Sequence, residues 1–513
     1  SATITKLRKY SLNLYKELEK KTGLSTGLKQ NGAITVASSK ERMEELLRQA
    51  TAAQLFDVNV EVLDKQKTKE LYPVINDEDI IGGVYMPEDG QADPVGVTNV
   101  LAKAAKMEGV QIFEKTPVNK ILVKNKKVKA AFEYIVSIEA KTLERHITLT
   151  EIEAPPFKEE KRAKVFAEYY RDLGMDSVWI DSEGNVLGLL VGSEGEKTVA
   201  LDAHLDTVFP EGTNVKVRIE NDTLFAPGIG DDTRGLSMLL TILETIKTNN
   251  IKPKDNLLFV GSVGEEGLGD LRGVKYLFRE NGPQINSWIA IDGGNIGRVN
   301  NKGLGSYRYR VTFQGPGGHS WAAFGLGNPH HALGEAIGNF VRASDIFIEK
   351  GPKTSYNVGV ISGGTSINSI PFESVMEIDI RSIEPSRLDA MEVLLKEAVK
   401  KALAHQNNIK RQGSDLTVKI DKIGNRPSGE LSDSLPLIQR TLAATTYFGA
   451  EPFLTRGSTN SNIPISKGIP SVTIGRGGNG GKAHSLGEWW INEEGYKAIQ
   501  LALLIVLSET GIN

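Results

Sequence analysis

The sequence predicts an α/β protein of more than one domain: a mixed sheet covered on both faces, an α+β insert within it, and a separate α+β segment ahead of it. Three observations carry this. From about Glu159, apolar runs alternate with amphipathic helical stretches across short loops, the pattern of a layered sheet. From Gly303 the pattern changes to long alternating strands and two amphipathic helices, as in Tyr307-Arg-Tyr-Arg-Val-Thr-Phe. Between Val199 and Gly267, three apolar runs or tight loops lead into a histidine or carboxylates: His204 and Asp206, then Asp231 and Asp232, then Glu265 and Glu266. Buried strands that end in such residues present them from loops at a sheet edge, and imidazole plus carboxylate is a donor set for divalent zinc, cobalt or manganese.

Composition bounds the function. At 513 residues the chain exceeds one typical domain. A net charge of −3 without a basic cluster gives no reason to expect nucleic acid. No run approaches the roughly 18 apolar residues of a membrane span, and no signal-peptide pattern opens the chain, so a cytoplasmic protein is expected. The absence of cysteine removes disulfides, thiolate ligands and a cysteine nucleophile together, which leaves seven histidines for metal or acid/base roles.

In order, apolar positions from Ile4 to about Lys21 have helical spacing, with Gly23 as C-cap. A strand is expected from Gly32, a helix capped by Ser39, a third helix over Val97 to Gly109, and strands near Val110 and Ile121. With the phrase Asp89-Gly-Gln-Ala-Asp-Pro94, this segment resembles the substrate side of flavin-dependent amine oxidoreductases of the dimethylglycine and sarcosine dehydrogenase type, over residues 1–128. No Gly-x-Gly-x-x-Gly between strand and helix precedes it, so a truncated segment without FAD is expected.

A helix is expected from Val128, then another over Glu159 to Leu173 and strands near Val178 and Leu187. The ordered set His204-Leu-Asp206, Gly230-Asp231-Asp232, Glu265-Glu266-Gly267, Ile291-Asp292 and Ala483-His484-Ser485 resembles the signature of the di-zinc amidohydrolase and exopeptidase superfamily. That group contains peptidase T, carboxypeptidase G, aminoacylase and succinyl-diaminopimelate desuccinylase. The resemblance implies a mixed-sheet di-metal hydrolase domain over 129–302 and 423–513, with a lid or dimerisation domain at 303–422. It implies His204, Asp231, Glu266, Asp292 and His484 as ligands of two metal ions, zinc or else cobalt or manganese, with Asp231 shared. It implies Asp206 as the carboxylate that steers His204, and Glu265 as general base.

In the insert, a helix is expected over Pro329 to Val341, strands over Tyr356 to Ser362 and Ser374 to Ile380, and a helix over Arg387 to Ala404. Gly318-His319-Ser320 resembles the motif whose histidine enters the partner subunit's site and stabilises an oxyanion, which implies a homodimer. Asn368 and Arg381 resemble the substrate-binding pair of the lid, and a guanidinium fork suits a carboxylate. His330 and His331 are expected at the surface. Beyond the insert, a helix over Leu435 to Phe448, a strand over Pro470 to Ile474 and a final helix over Glu494 to Leu507 are expected. Two departures stand out: Asn460, where the family often has aspartate near the substrate, and Thr233-Arg234, where lysine-glycine is frequent.

Two patterns are set aside. Gly475-x-Gly477-x-x-Gly480 leads to His484 instead of a helix, and Gly23-Leu-Ser25-Thr-Gly27 follows an amphipathic helix instead of a buried strand. The expected function is therefore metal-dependent cleavage of an amide bond in a small peptide or N-acyl amino acid. The alternatives are a flavin-dependent amine oxidoreductase acting through residues 1–128 and a non-catalytic metal-binding dimer.

Overall fold

The structure is a computed structural model that describes residues 2–108 and 122–513, and only the backbone of residues 2–9. The strands expected near Val110 and Ile121 lie outside the described residues. The chain divides into two compact units, 1–116 and 117–513.

In the first unit, the strands Ala33–Ala37, Gly82–Met86 and Glu61–Asp64 form an antiparallel sheet in the order first, third, second. The helix Lys40–Gln54 covers one face with Leu46 and Ala50, against Ala37 and Val84. Ser39 caps it by accepting the Arg42 N–H, and the helix Ala2–Thr22 stops at Gly23, whose φ is 67°. The helix expected from Val97 begins at Pro94, because Asp93 accepts the Val95 and Gly96 N–H groups and proline at the first position needs no donor.

The second unit contains a nine-stranded mixed sheet. Its centre is the parallel set Ser471–Ile474, Ser287–Ile291, Thr198–His204 and Asn256–Ser262, in that spatial order. Strand periodicity sends alternate residues to opposite layers. Leu201, Phe259 and Ile289 join one apolar core with the helices Thr233–Thr248 and Tyr496–Thr510, while Ala200, Leu258 and Trp288 join another with Leu271 and Val274. A helix over Glu139–Thr150 also packs here, a segment in which sequence spacing alone did not suggest one. The expected join at 128/129 falls inside the helix Lys126–Ser137, whose Val128 belongs to the first of these cores.

The insert is a four-stranded antiparallel sheet in the order Thr354–Gly363, Glu373–Ser382, Gly305–Gln314, Thr417–Arg426. The helices Pro329–Ile348 and Pro385–Ile409 cover one face, where Val311, Phe313, Met376 and Ile378 meet Ala336, Phe340 and Leu395. Both helices outrun their expected ends, since Phe347 and Ile348, and beyond Ala404 Gln406, still find cover. The alternation leaves Arg308, Asp379 and Arg381 on the opposite face.

Candidate metal centre

Of the expected ligands, His204, Glu266 and Asp292 lie where a central strand ends. His204 is the last residue of Thr198–His204, Asp292 follows Ser287–Ile291, and Asp231 precedes the helix Thr233–Thr248. Glu265 and Glu266 follow Asn256–Ser262 on a loop bounded by Gly264 and Gly267, which have φ of 69° and 50°. Glycine adopts that backbone without steric cost, so the chain can turn sharply on either side of the pair. His484 sits in the turn between the short strands Asn479–Gly481 and Trp489–Ile491 of a second small sheet.

These side chains meet. His204 Nε2 is 3.1 Å from Asp231 Oδ1, and His484 Nε2 is 3.2 Å from Asp231 Oδ2 and 2.8 Å from Glu266 Oε1. Three overlapping donor groups form, His204 with Glu265 and Glu266, His204 with Asp231 and Asp292, and Asp231 with Glu266 and His484, each with its ligand atoms within 4.8 Å. Asp231 is central to two of them. Two imidazoles among four carboxylates fit divalent cations of the zinc, cobalt and manganese class.

The electrostatics agree. Burial opposes charge on His204, but its hydrogen bond to Asp231 and the nearby Asp232 and Asp206 carboxylates hold its pKa well above the usual imidazole value. Hydrogen bonds to Asp231 and Glu266 raise that of His484 to about 10. Burial pushes Glu265 far above the carboxylate range against the pull of Arg426, and Glu266 adds repulsion. Burial and then Asp231 raise Asp292. Packed carboxylates thus demand positive charge, which imidazolium and guanidinium groups supply here and which metal cations would supply in their place.

Asp206 acts through two groups, its backbone carbonyl and its carboxylate. Its backbone carbonyl lies 3.0 Å from His204 Nδ1, closer than its carboxylate at 3.7 Å. The carboxylate instead accepts the Glu265 N–H at 3.1 Å and the Glu266 N–H at 2.8 Å, so it holds the loop that carries both glutamates. Glu488 does the same for Asp231, accepting the N–H groups of Gly228, Gly230 and Asp231, each at 2.9 Å.

Sequence reasoning missed several groups here. Arg426, the last residue of the insert's sheet, donates to Glu265 Oε1 at 3.2 Å and also to the Glu265 carbonyl. Arg476 donates to Asp231 at 3.1 Å and pairs with Asp232 at 3.4 Å. Asp232 caps the helix after the centre and accepts the His204 N–H at 3.3 Å. An arginine gives no motif signal of its own, and these partners are far apart in sequence. Arg234 packs on Trp490 and donates to the Gly495 carbonyl at 2.9 Å, which ties the helix to the segment beyond His484. Asn460 is buried and donates to Asp202 at 2.9 Å and Ser262 at 2.8 Å; it braces strand ends beneath the centre and does not line the cavity.

A cavity of about 420 Å³ opens over the centre, and Arg381 lines it with Arg308. Within one chain, His319 and Asn368 are not among its lining residues. His319 is exposed, and its Nδ1 accepts from the Trp321 and Ala322 N–H groups at 3.2 and 3.3 Å, which leaves Nε2 to carry the ring proton, and Asn368 accepts from Ser366 at 2.6 Å. His330 is exposed and its Nδ1 lies 2.7 Å from Ser374 Oγ; His331 is exposed.

The comparisons with known proteins fall into two sets along the chain. Residues 1–144 match the FAD dependent oxidoreductase family. There the chain is 42% identical over 108 residues to human mitochondrial sarcosine dehydrogenase, covering 21% of this chain and spanning only 12% of that protein's length. The aminopeptidase PepT of Bacillus cereus shares the fold with a TM-score of 0.55 at 22% identity, over 74% of this chain and 98% of its own. The Bacillus subtilis protein YxeP, described as a dinuclear metal-binding peptidase, gives 0.53 at 16% identity, over 73% and 99%. Residues 200–508, more than half of the chain, match Peptidase family M20/M25/M40, and the chain belongs to that family.

Proposed function

We propose that the chain is a two-metal hydrolase that cleaves an amide bond in a small peptide or N-acyl amino acid. The observation that carries this reading is the convergence of His204, Asp231, Glu266, Asp292 and His484 around one carboxylate, beneath a cavity that also holds Glu265 and Arg381. Those five residues would hold two divalent cations, zinc first among the candidates; the Bacillus subtilis relative is described as dinuclear metal-binding. When bound, the cations would polarise the scissile carbonyl and lower the pKa of water toward roughly 7.

The chain's own residues supply the rest. Glu265 takes a proton from water and delivers it to the leaving amine, its carboxylate placed at the cavity by the Arg426 hydrogen bond. Asp206 fixes the glutamate loop and the His204 ring. Arg381, held by Asp379, receives a substrate carboxylate. His319, exposed on the lid and with Nδ1 already accepting, donates through Nε2 to the oxyanion in the site of a second copy, where Asn368 joins it, so the working unit is a homodimer. The exposed edge of the lid strand Thr354–Gly363 supports that assembly.

Incubation of the zinc-loaded chain with pooled dipeptides, tripeptides and N-acyl amino acids tests the reading. Fragment masses of amide cleavage are expected, and they separate peptidase from deacylase. A pool recovered intact contradicts it.

A further inference from the structure

Five arginines line the cavity over the centre: Arg298, Arg308, Arg381, Arg426 and Arg476. Their partners are unequal. Arg476 is matched by Asp231 and the fully buried Asp232, and Arg426 by Glu265. Arg308 and Arg381 converge on one carboxylate, Asp379, at 3.1 and 2.6 Å. Among the described residues Arg298 pairs with no carboxylate; it donates to the Asp292 carbonyl at 3.4 Å. Arg298, on the sheet wall, therefore has no carboxylate within salt-bridge distance and acts only at longer range on that of Asp292, while on the lid wall two guanidinium groups share one carboxylate.

The sheet-wall position is shaped for the Arg298 guanidinium. A Cβ added at Gly293 would come within 2.8 Å of Arg298 Nη1, and one at Gly457 within 3.0 Å of Nη2. Two glycines thus leave the room in which the guanidinium lies. A guanidinium facing such a cavity can offer parallel N–H donors, and a carboxylate can accept both at once.

We propose that the substrate is dianionic, with Arg298 as the residue that selects the second negative charge. This rests on the hydrolase reading and narrows it: one carboxylate meets Arg381 and Arg308, and another meets Arg298. Two chemical sources supply the second carboxylate. It belongs either to an acidic side chain on the amine side of the scissile bond or to the free end of a dicarboxylic acyl group.

Equilibrium binding to the full-length, zinc-loaded Glu265→Gln chain tests this without turnover, using two matched pairs. N-acetylglutamate against N-acetylglutamine probes the first source, and N-succinylalanine against N-acetylalanine the second. The dianion of at least one pair is expected to bind at least tenfold more tightly, and Arg298→Gln is expected to abolish that gap. Binding gaps below tenfold in both pairs overturn the proposal, with no variant of Arg298 needed. A gap that survives Arg298→Gln overturns the role of Arg298. Turnover of the same compounds by the unsubstituted chain is read separately. A gap without turnover counts against the hydrolase reading and leaves the dianion selection standing; turnover without a gap does the reverse.

Discussion

His146 shows how one buried side chain sets acid stability. It has no exposed surface, contacts the Ile229 carbonyl through Nε2 at 2.5 Å, and meets Trp490 edge to face. Burial, with a smaller push from Arg234, lowers its pKa from 6.5 to about 3. The folded state therefore holds the ring neutral while the unfolded chain protonates it below 6.5. Stability is full above pH 6.5 and falls as pH drops toward 3, by about 2 kcal/mol at pH 5 from this group alone. Denaturant melts of the chain and of His146→Gln between pH 7 and 5 check this: the slope is expected to flatten in the variant, and parallel slopes contradict it. Individual residues were unevenly legible in the sequence. His204, Asp231 and Glu266 follow apolar strands or tight glycine turns, so local pattern exposes them. Arg426 and Glu265 are 161 residues apart, and nothing local marks a guanidinium as the partner of a carboxylate.

At the scale of elements, the strand Glu373–Ser382 carries both Asp379 and Arg381, and its neighbour carries Arg308. Residues two apart on a strand share a face, so Asp379 can brace both arginines toward the cavity. Asp379→Asn is expected to raise KM for carboxylate-bearing substrates about tenfold with little change in kcat, since it loosens a binding group rather than the reacting atoms. A fall in kcat at constant KM contradicts that placement. The insert's alternation was plain in the sequence because one face is apolar and the other charged. The helix Glu139–Thr150 was not, since its buried positions include Thr142, Arg145, His146 and Thr150, polar groups that find partners only in the folded chain. The small sheet that presents His484 was also missed, because three-residue strands have no readable period.

For the whole molecule, the order of motifs along the chain was the legible part: residues 1–144 and 200–508 match two different families, and the structure divides at 116. A dimeric assembly is proposed through resemblance, and His319 lies outside its own chain's cavity lining. Mixing the inactive chains Glu265→Gln and His319→Ala is expected to restore roughly a quarter of wild-type activity, because half the dimers become mixed and each of those has one complete site. No recovery after confirmed subunit exchange contradicts donation between subunits. Chelation of the metals is expected to lower the melting temperature, and zinc to restore it, because a cation that binds only the folded chain stabilises it by mass action. The central claim, metal-dependent hydrolysis with Glu265 as base, is tested most directly by metal content and single-turnover rate on the same Glu265→Gln preparation. Two zinc ions per chain with a rate reduced at least about 100-fold are predicted, and a fully metallated variant that turns over at the wild-type rate would contradict the account.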